Sequence, residues 1–326
     1  MITVKVPLRI SFFGGGTDIP IFYKKNNFGC VISSTIDRYL YISVKKHSNL
    51  FDEKYRFNYS SSETCNNINQ IQNNIFREVI KYFKIKDNLY ISTISDVPSS
   101  SGLGSSSALV VGLFFIFNKL YNYGISDKKI IEKAAQFEIN KISNSIGKQD
   151  HYSSFYKGIK YLRFNFDEKV FIKKINFSNF NKKIGLNLLF FFTGTQRYSN
   201  KILKNQNTKI KTNKYGLIEL RKMTDEIFEK LKENKINYKE FGYYLNKSWF
   251  IKRSFSKKIS NEFIDKCYNE SLRSGGIGGK ILGAGGGGFL MIVADKKKHK
   301  KIISKMLSLG LNHVPINLCE KSAEII

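Results

Sequence analysis

A segment rich in serine and glycine, placed between a strand pattern and a long apolar run, constrains this chain more than any other feature. Leu89–Ile94 predicts a strand, and Ala108–Tyr121 predicts a buried helix. Between them lie Pro98, Ser99, Ser100, Ser101, Gly102, Leu103, Gly104, Ser105, Ser106 and Ser107. Glycine allows torsions and close approaches that side chains block, and N–H groups at a helix N-terminus bind anions. The segment predicts a phosphate-binding loop, with a flexible turn as the alternative; it lacks the Gly-Lys-Ser/Thr ending of a Walker A loop.

Strand and helix patterns alternate along the rest of the chain and predict an α+β protein. Further strands are predicted at Thr3–Val6, Gly29–Thr35, Arg38–Val44, Lys160–Phe166, Leu186–Phe192, Phe289–Ala294 and near His313–Leu318. Further helices are predicted at Ile75–Phe83, Asp127–Ile139, Tyr215–Glu233, Glu240–Phe250, Asn261–Ser274 and Lys297–Leu309. Loops are predicted at Phe12–Asp18, at residues 58–74 and at Gly275–Gly288. A length of 326 residues suggests two domains or one large one.

The chain is strongly basic, with 54 Lys and Arg against 26 Asp and Glu and a formal net charge of +28. The lysines are scattered, which favours a solvated basic surface; attraction of an anionic substrate is the functional alternative. The four cysteines have no metal-ligand spacing, so reduced thiols are expected. The first residues lack a signal-peptide pattern, and the apolar runs are too short to span a bilayer. A cytoplasmic protein is therefore expected.

Three segments resemble the motifs of the GHMP kinase family, which includes galacto-, homoserine, mevalonate and phosphomevalonate kinases. Pro98-x-x-x-Gly102-Leu103-Gly104-Ser105-Ser106 resembles the family's ATP-binding motif. Residues 6–18 resemble the first motif of galactokinases, Ala-Pro-Gly-Arg, four residues, Gly-Glu-His-Thr-Asp. Residues 280–289, with four consecutive glycines, resemble the third motif. The resemblance implies the GHMP kinase fold: an N-terminal domain (1–165) of a type also found in ribosomal protein S5, and a ferredoxin-like C-terminal domain (166–326).

The resemblance also implies roles for particular side chains. Asp150 accepts the proton of the attacking hydroxyl, Arg9 lies near the transferring phosphoryl group, and Ser106 and Glu138 hold Mg²⁺. The loop from Pro98 to Ser107 binds ATP. The predicted substrate-binding residues are Arg9, Gly14, Gly15, Gly16, Thr17, Asp18, Asp150, Arg197, Gly283, Ala284, Gly285 and Gly286, of which Arg197 rests on its chemistry and not on the resemblance. Arg197 is predicted to bind a phosphate on the acceptor because a guanidinium forms bidentate phosphate contacts, with a plain surface loop as the alternative.

The first motif departs from galactokinases where Glu-His becomes Gly15-Gly16, which removes two polar contacts and opens space. The triple-glycine form looks like the D-glycero-D-manno-heptose 7-phosphate kinase branch and its fucokinase-like relatives. It implies phosphorylation of the anomeric hydroxyl of that heptose phosphate, in a pathway to nucleotide-activated heptose for surface polysaccharide.

Three alternatives remain open: another sugar, such as fucose or galactose; a catalytically dead sugar-binding relative; and, given the charge, a basic RNA-binding protein. The chain lacks an aromatic and basic strand of the RNA-recognition type, which counts against the last of these. The expected partners are ATP and a sugar phosphate, with no nucleic acid and no membrane. A homodimer is left open.

Overall fold

The computed structural model describes residues 1–142, 145–194 and 212–326. The strands in these ranges are β1 (Ile2–Phe13), β2 (Phe28–Lys46), β3 (Tyr55–Asn58), β4 (Ser62–Cys65), β5 (Leu89–Ser95), β6 (Ile159–Asn165), β7 (Val170–Lys174), β8 (Leu188–Phe192), β9 (Gly276–Ile281), β10 (Phe289–Ala294), β11 (Asn312–His313) and β12 (Glu324–Ile325). The helices are α1 (Pro20–Tyr23), α2 (Asn74–Tyr82), α3 (Ser105–Leu120), α4 (Asp127–Phe137), α5 (Gln149–Phe155), α6 (Phe177–Lys183), α7 (Lys214–Lys232), α8 (Tyr238–Ser254), α9 (Glu262–Arg273) and α10 (His299–Ser308).

Within the described residues, the strands form two sheets. The larger sheet has eight strands in the order β12-β1-β2-β5-β3-β4, with β6 and β7 added beside the first part of β2. The smaller sheet has the antiparallel order β11-β8-β10-β9 and carries α8 against β9 and β10. Helix α3 packs against β1, α4 and α5, and is buried along most of its length. The predicted α+β class is confirmed.

Strand β2 is one strand of 19 residues, so the prediction of two strands with a break between them is wrong. Polar side chains in the middle of β2 have partners elsewhere in the chain: Ser33 contacts the hydroxyl of Ser153 at 2.7 Å, and Thr35 donates to the carbonyl oxygen of Cys319. The two ends of β2 also have different partners, since Phe28–Ser34 pair with β6 and Leu40–Lys46 with β5. A long shared strand therefore holds β6 and β5 in one sheet.

The loop predicted at Gly275–Gly288 is wrong in its first half, where Gly276–Ile281 form β9. Glycine usually weakens a strand, but here it allows close packing. A Cβ at Gly278 would lie 2.0 Å from the carbonyl oxygen of Gly242 on α8, and one at Gly279 would lie 2.3 Å from that of Met291 on β10. The glycines let a helix and a neighbouring strand approach the backbone of β9.

Several predicted boundaries also shift. Phe12 and Phe13 end β1, and β4 lies inside the loop predicted at residues 58–74. The strand predicted near His313–Leu318 is reduced to β11 and a single bridge between Ile36 and Leu318. Helix α3 begins at Ser105, three residues before the predicted start, because serine is tolerated in a first turn whose N–H groups need partners.

The end of the chain returns to its beginning. Strand β12 pairs with β1, with Val4 opposite Ile325 and Lys5 opposite Glu324.

In the parts of the chain that are described, no helix is long and apolar enough to cross a membrane. All four cysteines are free thiols: Cys30, Cys65, Cys267 and Cys319. The domain boundary between residues 165 and 166 stays a prediction.

Candidate active site

The serine- and glycine-rich loop is a tight turn tied to β1. Ser100, Gly102 and Gly104 have φ angles of 60°, 90° and 84°, the left-handed region that glycine adopts without strain. The carbonyl oxygen of Leu103 accepts from the backbone N–H of Arg9 at 3.1 Å. The first turn of α3 follows directly, so the N–H groups of Ser105 and its neighbours stand at the N-terminus of a helix of 16 residues. This is the geometry of an anion site.

Arg9 joins this loop to the predicted base. Its Nε and one terminal nitrogen donate to the two carboxylate oxygens of Asp150 at 2.8 and 2.7 Å, while the other terminal nitrogen donates to the carbonyl oxygen of Gly102 at 2.7 Å. A guanidinium has five N–H groups, and these contacts use three. Two N–H groups are left for the oxygens of a phosphoryl group. The side chain of Asp150 is 25% exposed, so a ligand can reach it.

A second carboxylate lies at the other side of the loop. Glu138 is buried at the start of a π-helical turn, Glu138–Ile142, a distortion that is often found at functional sites. Its Oε1 accepts from the hydroxyl of Ser106 at 2.8 Å. Its Oε2 lies 2.6 Å from Nε2 of the buried His151, without the alignment of a hydrogen bond. His151 was not among the predicted site residues.

This arrangement fits a hard divalent cation. A buried carboxylate oxygen without a hydrogen-bond donor, next to a serine hydroxyl, offers the oxygen ligands that Mg²⁺ prefers. Among the residues that the structure describes, no group of three or more His, Cys, Asp or Glu side chains could hold a metal ion by itself. Phosphate oxygens and water would complete the shell, as is usual for Mg²⁺ in kinases.

The first motif forms one wall of a pocket. Asp18 is buried and accepts from the backbone N–H of Gly16 at 3.0 Å and from the backbone and side-chain N–H groups of Gln149 at 3.1 Å each. Burial, and then the charge of Asp150, raise the pKa of Asp18 above its ordinary value. Asp18 therefore fixes the residue that precedes Asp150 as well as facing the pocket.

Gly14 and Thr17 lie behind this wall and do not line it. The hydroxyl of Thr17 donates to the carbonyl oxygens of Gly14 and Cys30 at 2.8 and 2.9 Å, and the residue is fully buried. A Cβ at Gly14 would lie 1.9 Å from the carbonyl oxygen of Cys30. Gly14 and Thr17 therefore hold the first motif against β2. They were predicted to bind substrate, but neither lines the pocket.

The third motif packs directly on the phosphate loop. A Cβ at Gly283 would lie 2.7 Å from the Cα of Gly102, and one at Gly288 would lie 2.2 Å from the carbonyl oxygen of Ser101. Gly285 and Gly286 instead pack against Ile259, to which Gly286 donates a backbone hydrogen bond of 2.6 Å. These close approaches are between two loops of the protein, and Gly283 and Ala284 also line the pocket.

The pocket holds about 620 Å³ of space, its open mouth included, between the two halves of the chain. Seven predicted substrate residues line it: Arg9, Gly15, Gly16, Asp18, Asp150, Gly283 and Ala284. Seven that were not predicted join them: Ser11, Ile19, Ile146, Gly147, Gln149, Lys252 and Lys280. Lys280 is the first residue of the third motif and Gln149 directly precedes Asp150, so both could have been suspected, whereas Lys252 lies on α8, outside every recognised motif. Arg197 lies outside the described residues.

Comparison with known proteins gives consistent matches. The family model described as GHMP kinases N terminal domain matches residues 72–158, and that described as GHMP kinases C terminal matches residues 221–311. A D-glycero-alpha-D-manno-heptose 7-phosphate kinase of Campylobacter jejuni is 27% identical over 94% of this chain and 93% of its own length. A galactokinase of Pyrococcus furiosus is 24% identical over 92% of this chain and 91% of its own length. The crystal structure of a D-glycero-D-manno-heptose 1-phosphate kinase from Bacteroides thetaiotaomicron superposes with a TM-score of 0.78 at 18% identity, covering 100% of this chain and 99% of that one.

Proposed function

Because the chain belongs to the GHMP kinase family, whose members are ATP-dependent phosphotransferases, we propose that it phosphorylates the anomeric hydroxyl of D-glycero-D-manno-heptose 7-phosphate. The observation that carries the proposal is the bidentate contact between Arg9 and Asp150 at the floor of the pocket, with Arg9 also bound to Gly102 of the phosphate loop. One side chain thereby sets the distance between a base and the loop that would hold the triphosphate.

Positioning and charge neutralisation supply most of the catalysis in phosphoryl transfer, and the chain has a group for each task. Asp150 would accept the proton of the acceptor hydroxyl through a carboxylate oxygen that Arg9 orients. The two unused N–H groups of Arg9 would donate to oxygens of the transferring group. Ser106 and Glu138 would hold Mg²⁺, which, when bound, neutralises phosphate charge. The N–H groups at the start of α3 would cradle the phosphates.

The choice of acceptor rests on the pocket wall and on the relatives. Gly15 and Gly16 line the pocket and leave space where galactokinases carry larger polar residues. A relative over nearly the full chain is named a heptose 7-phosphate kinase, and the superposed crystal structure is named a heptose 1-phosphate kinase. A galactokinase matches a similar share of the chain at lower identity, so galactose and fucose are the competing acceptors.

A panel of acceptors tests the proposal. The purified protein would be incubated with MgATP and, separately, heptose 7-phosphate, heptose 1-phosphate, fucose, galactose and mevalonate, and ADP release would be measured. We expect kcat/KM to be highest for heptose 7-phosphate, with a new anomeric phosphate signal in the ³¹P NMR spectrum of the product. Faster turnover of free fucose or galactose would contradict the proposed acceptor, and no ADP release with any of them would contradict a sugar kinase.

A further inference from the structure

Two lysines from the second half of the chain line the pocket next to Arg9. Lys252, on α8, donates from Nζ to the carbonyl oxygen of Gly283 at 2.6 Å. Lys280, on β9, is 4% exposed and donates from Nζ to the carbonyl oxygens of Ser11 and Phe12 at 3.1 and 2.9 Å. Neither lysine was predicted as a site residue. Both bring an ammonium group into a pocket whose other wall is the first motif.

The three cations lie close enough to act on one another. Burial, followed by the charges of Lys252 and Arg9, holds the pKa of Lys280 well below its usual range. Asp150 balances the charge of Arg9. Lys280, in contrast, takes part in none of the ion pairs found among the described residues. A buried cation without a counter-charge is costly, and a cluster of like charges adds repulsion. An anion in the pocket would remove both penalties.

The position of Lys252 indicates which part of the pocket takes that anion. Its partner Gly283 packs on Gly102 of the phosphate loop, at the same carbonyl that Arg9 binds. An ammonium here stands at the side of the pocket where phosphoryl groups would meet the acceptor. Asp18 and Gln149, with their carboxylate and amide groups, lie on the first-motif side.

We propose that Lys252 and Lys280 form a phosphate subsite, supplied across the pocket by the second half of the chain. The inference deepens the proposed function and rests on it for the identity of the phosphate. Two sources share the chemistry of a phosphate dianion: the transferring phosphoryl group and a phosphate that the acceptor already carries. In either case, the subsite contributes two cations to which the motif comparison assigned no role.

Direct binding of phosphate tests the subsite without relying on turnover. Inorganic phosphate would be titrated by calorimetry into protein saturated with MgADP, for the wild type, Lys252→Met and Lys247→Met. Lys247 lies on the same helix but is half exposed and pairs with Glu219, so it is the matched control. We expect Lys252→Met to weaken phosphate binding at least tenfold and Lys247→Met to change it less than twofold. No binding by the wild type, or equal affinities in all three proteins, would overturn the subsite.

Kinetics then identify the source of the phosphate. If the subsite binds the acceptor's own phosphate, Lys252→Met raises KM for heptose 7-phosphate at least tenfold and leaves the unphosphorylated heptose unchanged. If it binds the transferring group, kcat falls by the same factor with both acceptors. Lys252→Arg, which keeps the charge, should recover part of either loss, and Lys280→Met provides a second variant with its folding checked by thermal melting. Wild-type kinetics in both variants would overturn the proposal, while an inactive wild-type protein would overturn only the proposed function.

Discussion

At the scale of single residues, the proposed chemistry depends most on Asp150. An Asp150→Asn variant keeps the size of the side chain and one oxygen for Arg9, but it cannot accept a proton. We expect kcat to fall about 10²- to 10⁴-fold, the usual contribution of a general base. The melting temperature should also fall, because the buried guanidinium of Arg9 loses its counter-charge. A coupled assay of ADP release measures kcat. Asp167→Asn, which removes an exposed carboxylate paired with Lys169, is the control and should keep wild-type kcat. Undiminished turnover in Asp150→Asn would exclude it as the base.

Gly104 offers a test of how closely the phosphate loop must approach Arg9. Its φ is +84°, and a Cβ would lie 2.9 Å from the Nε of Arg9. Gly310 has nearly the same φ, +86°, but open space around it. Alanine at either position should cost about 1–2 kcal/mol of unfolding free energy because of the left-handed backbone.

Only Gly104→Ala should also reduce kcat/KM, by tenfold or more, because Arg9 must move away from Asp150. Urea unfolding and steady-state kinetics on the two variants separate backbone strain from displacement of the guanidinium. Equal loss of activity in Gly310→Ala would show that the contact with Arg9 is not what matters.

At the scale of elements, a turn between two strands holds the start of the helix that carries Asp150. Glu168, between β6 and β7, accepts from Tyr23 and pairs with Lys24 and with the buried Lys148, which directly precedes α5. Partial burial acts to raise the pKa of Glu168, but the hydrogen bonds from Lys148, Lys24 and Tyr23 outweigh it and lower the pKa to about 2. The carboxylate is therefore more stable in the folded protein than in the unfolded chain.

Glu168→Gln should lower the free energy of unfolding by about 1–2 kcal/mol at pH 7, less than for a fully buried pair because Glu168 is one-third exposed. A depressed pKa stabilises the fold above the unfolded value of about 4.5, and this contribution is lost as the pH falls toward 2. The difference in the free energy of unfolding between wild type and variant should thus become smaller below pH 4.5. Urea unfolding at several pH values can measure this difference. Glu233→Gln, in an exposed pair with Lys235, should be close to neutral at every pH.

The elements that sequence reasoning found are those whose signal is local. Helix α2 has clear helical periodicity and strand β10 is a short continuous apolar run, and both appear within a residue of the predicted bounds. Strand β9 was missed because its glycines serve contacts with α8 and β10, which no local pattern reveals. The continuity of β2 could not be predicted locally, because contacts that hold its middle, such as that of Thr35 with Cys319, come from far along the chain.

The same distinction holds for the site. Arg9 and Asp150 were identified because motifs are local, and their contact across 141 residues follows from the family fold. Lys252 was not identified as a site residue, because a lysine on a helix has the pattern of a surface residue. Its place in the pocket depends on how α8 packs beside the third motif, so tertiary structure alone reveals it.

At the scale of the whole molecule, the net charge of +28 has a consequence that can be separated from the local cations. Long-range attraction of an anionic nucleotide is screened over about 10 Å at 0.1 M salt and about 3 Å at 1 M, whereas contacts inside the pocket are screened much less. We therefore expect KM for ATP to rise about three- to tenfold between 50 and 500 mM NaCl, with kcat nearly constant. Salt-independent KM would mean that the basic surface plays no part in substrate capture.

A charge-reversal variant separates the two effects. Lys297, Lys300 and Lys301 are exposed and do not line the pocket, so changing all three to Glu alters the distant field without touching the site. This variant should raise KM for ATP about twofold at 50 mM NaCl and match the wild type at 500 mM, because only the screened interaction is lost. Lys252→Met, in contrast, should differ from the wild type at both salt concentrations. If the triple variant keeps its deficit at 500 mM, those lysines act through structure rather than through charge.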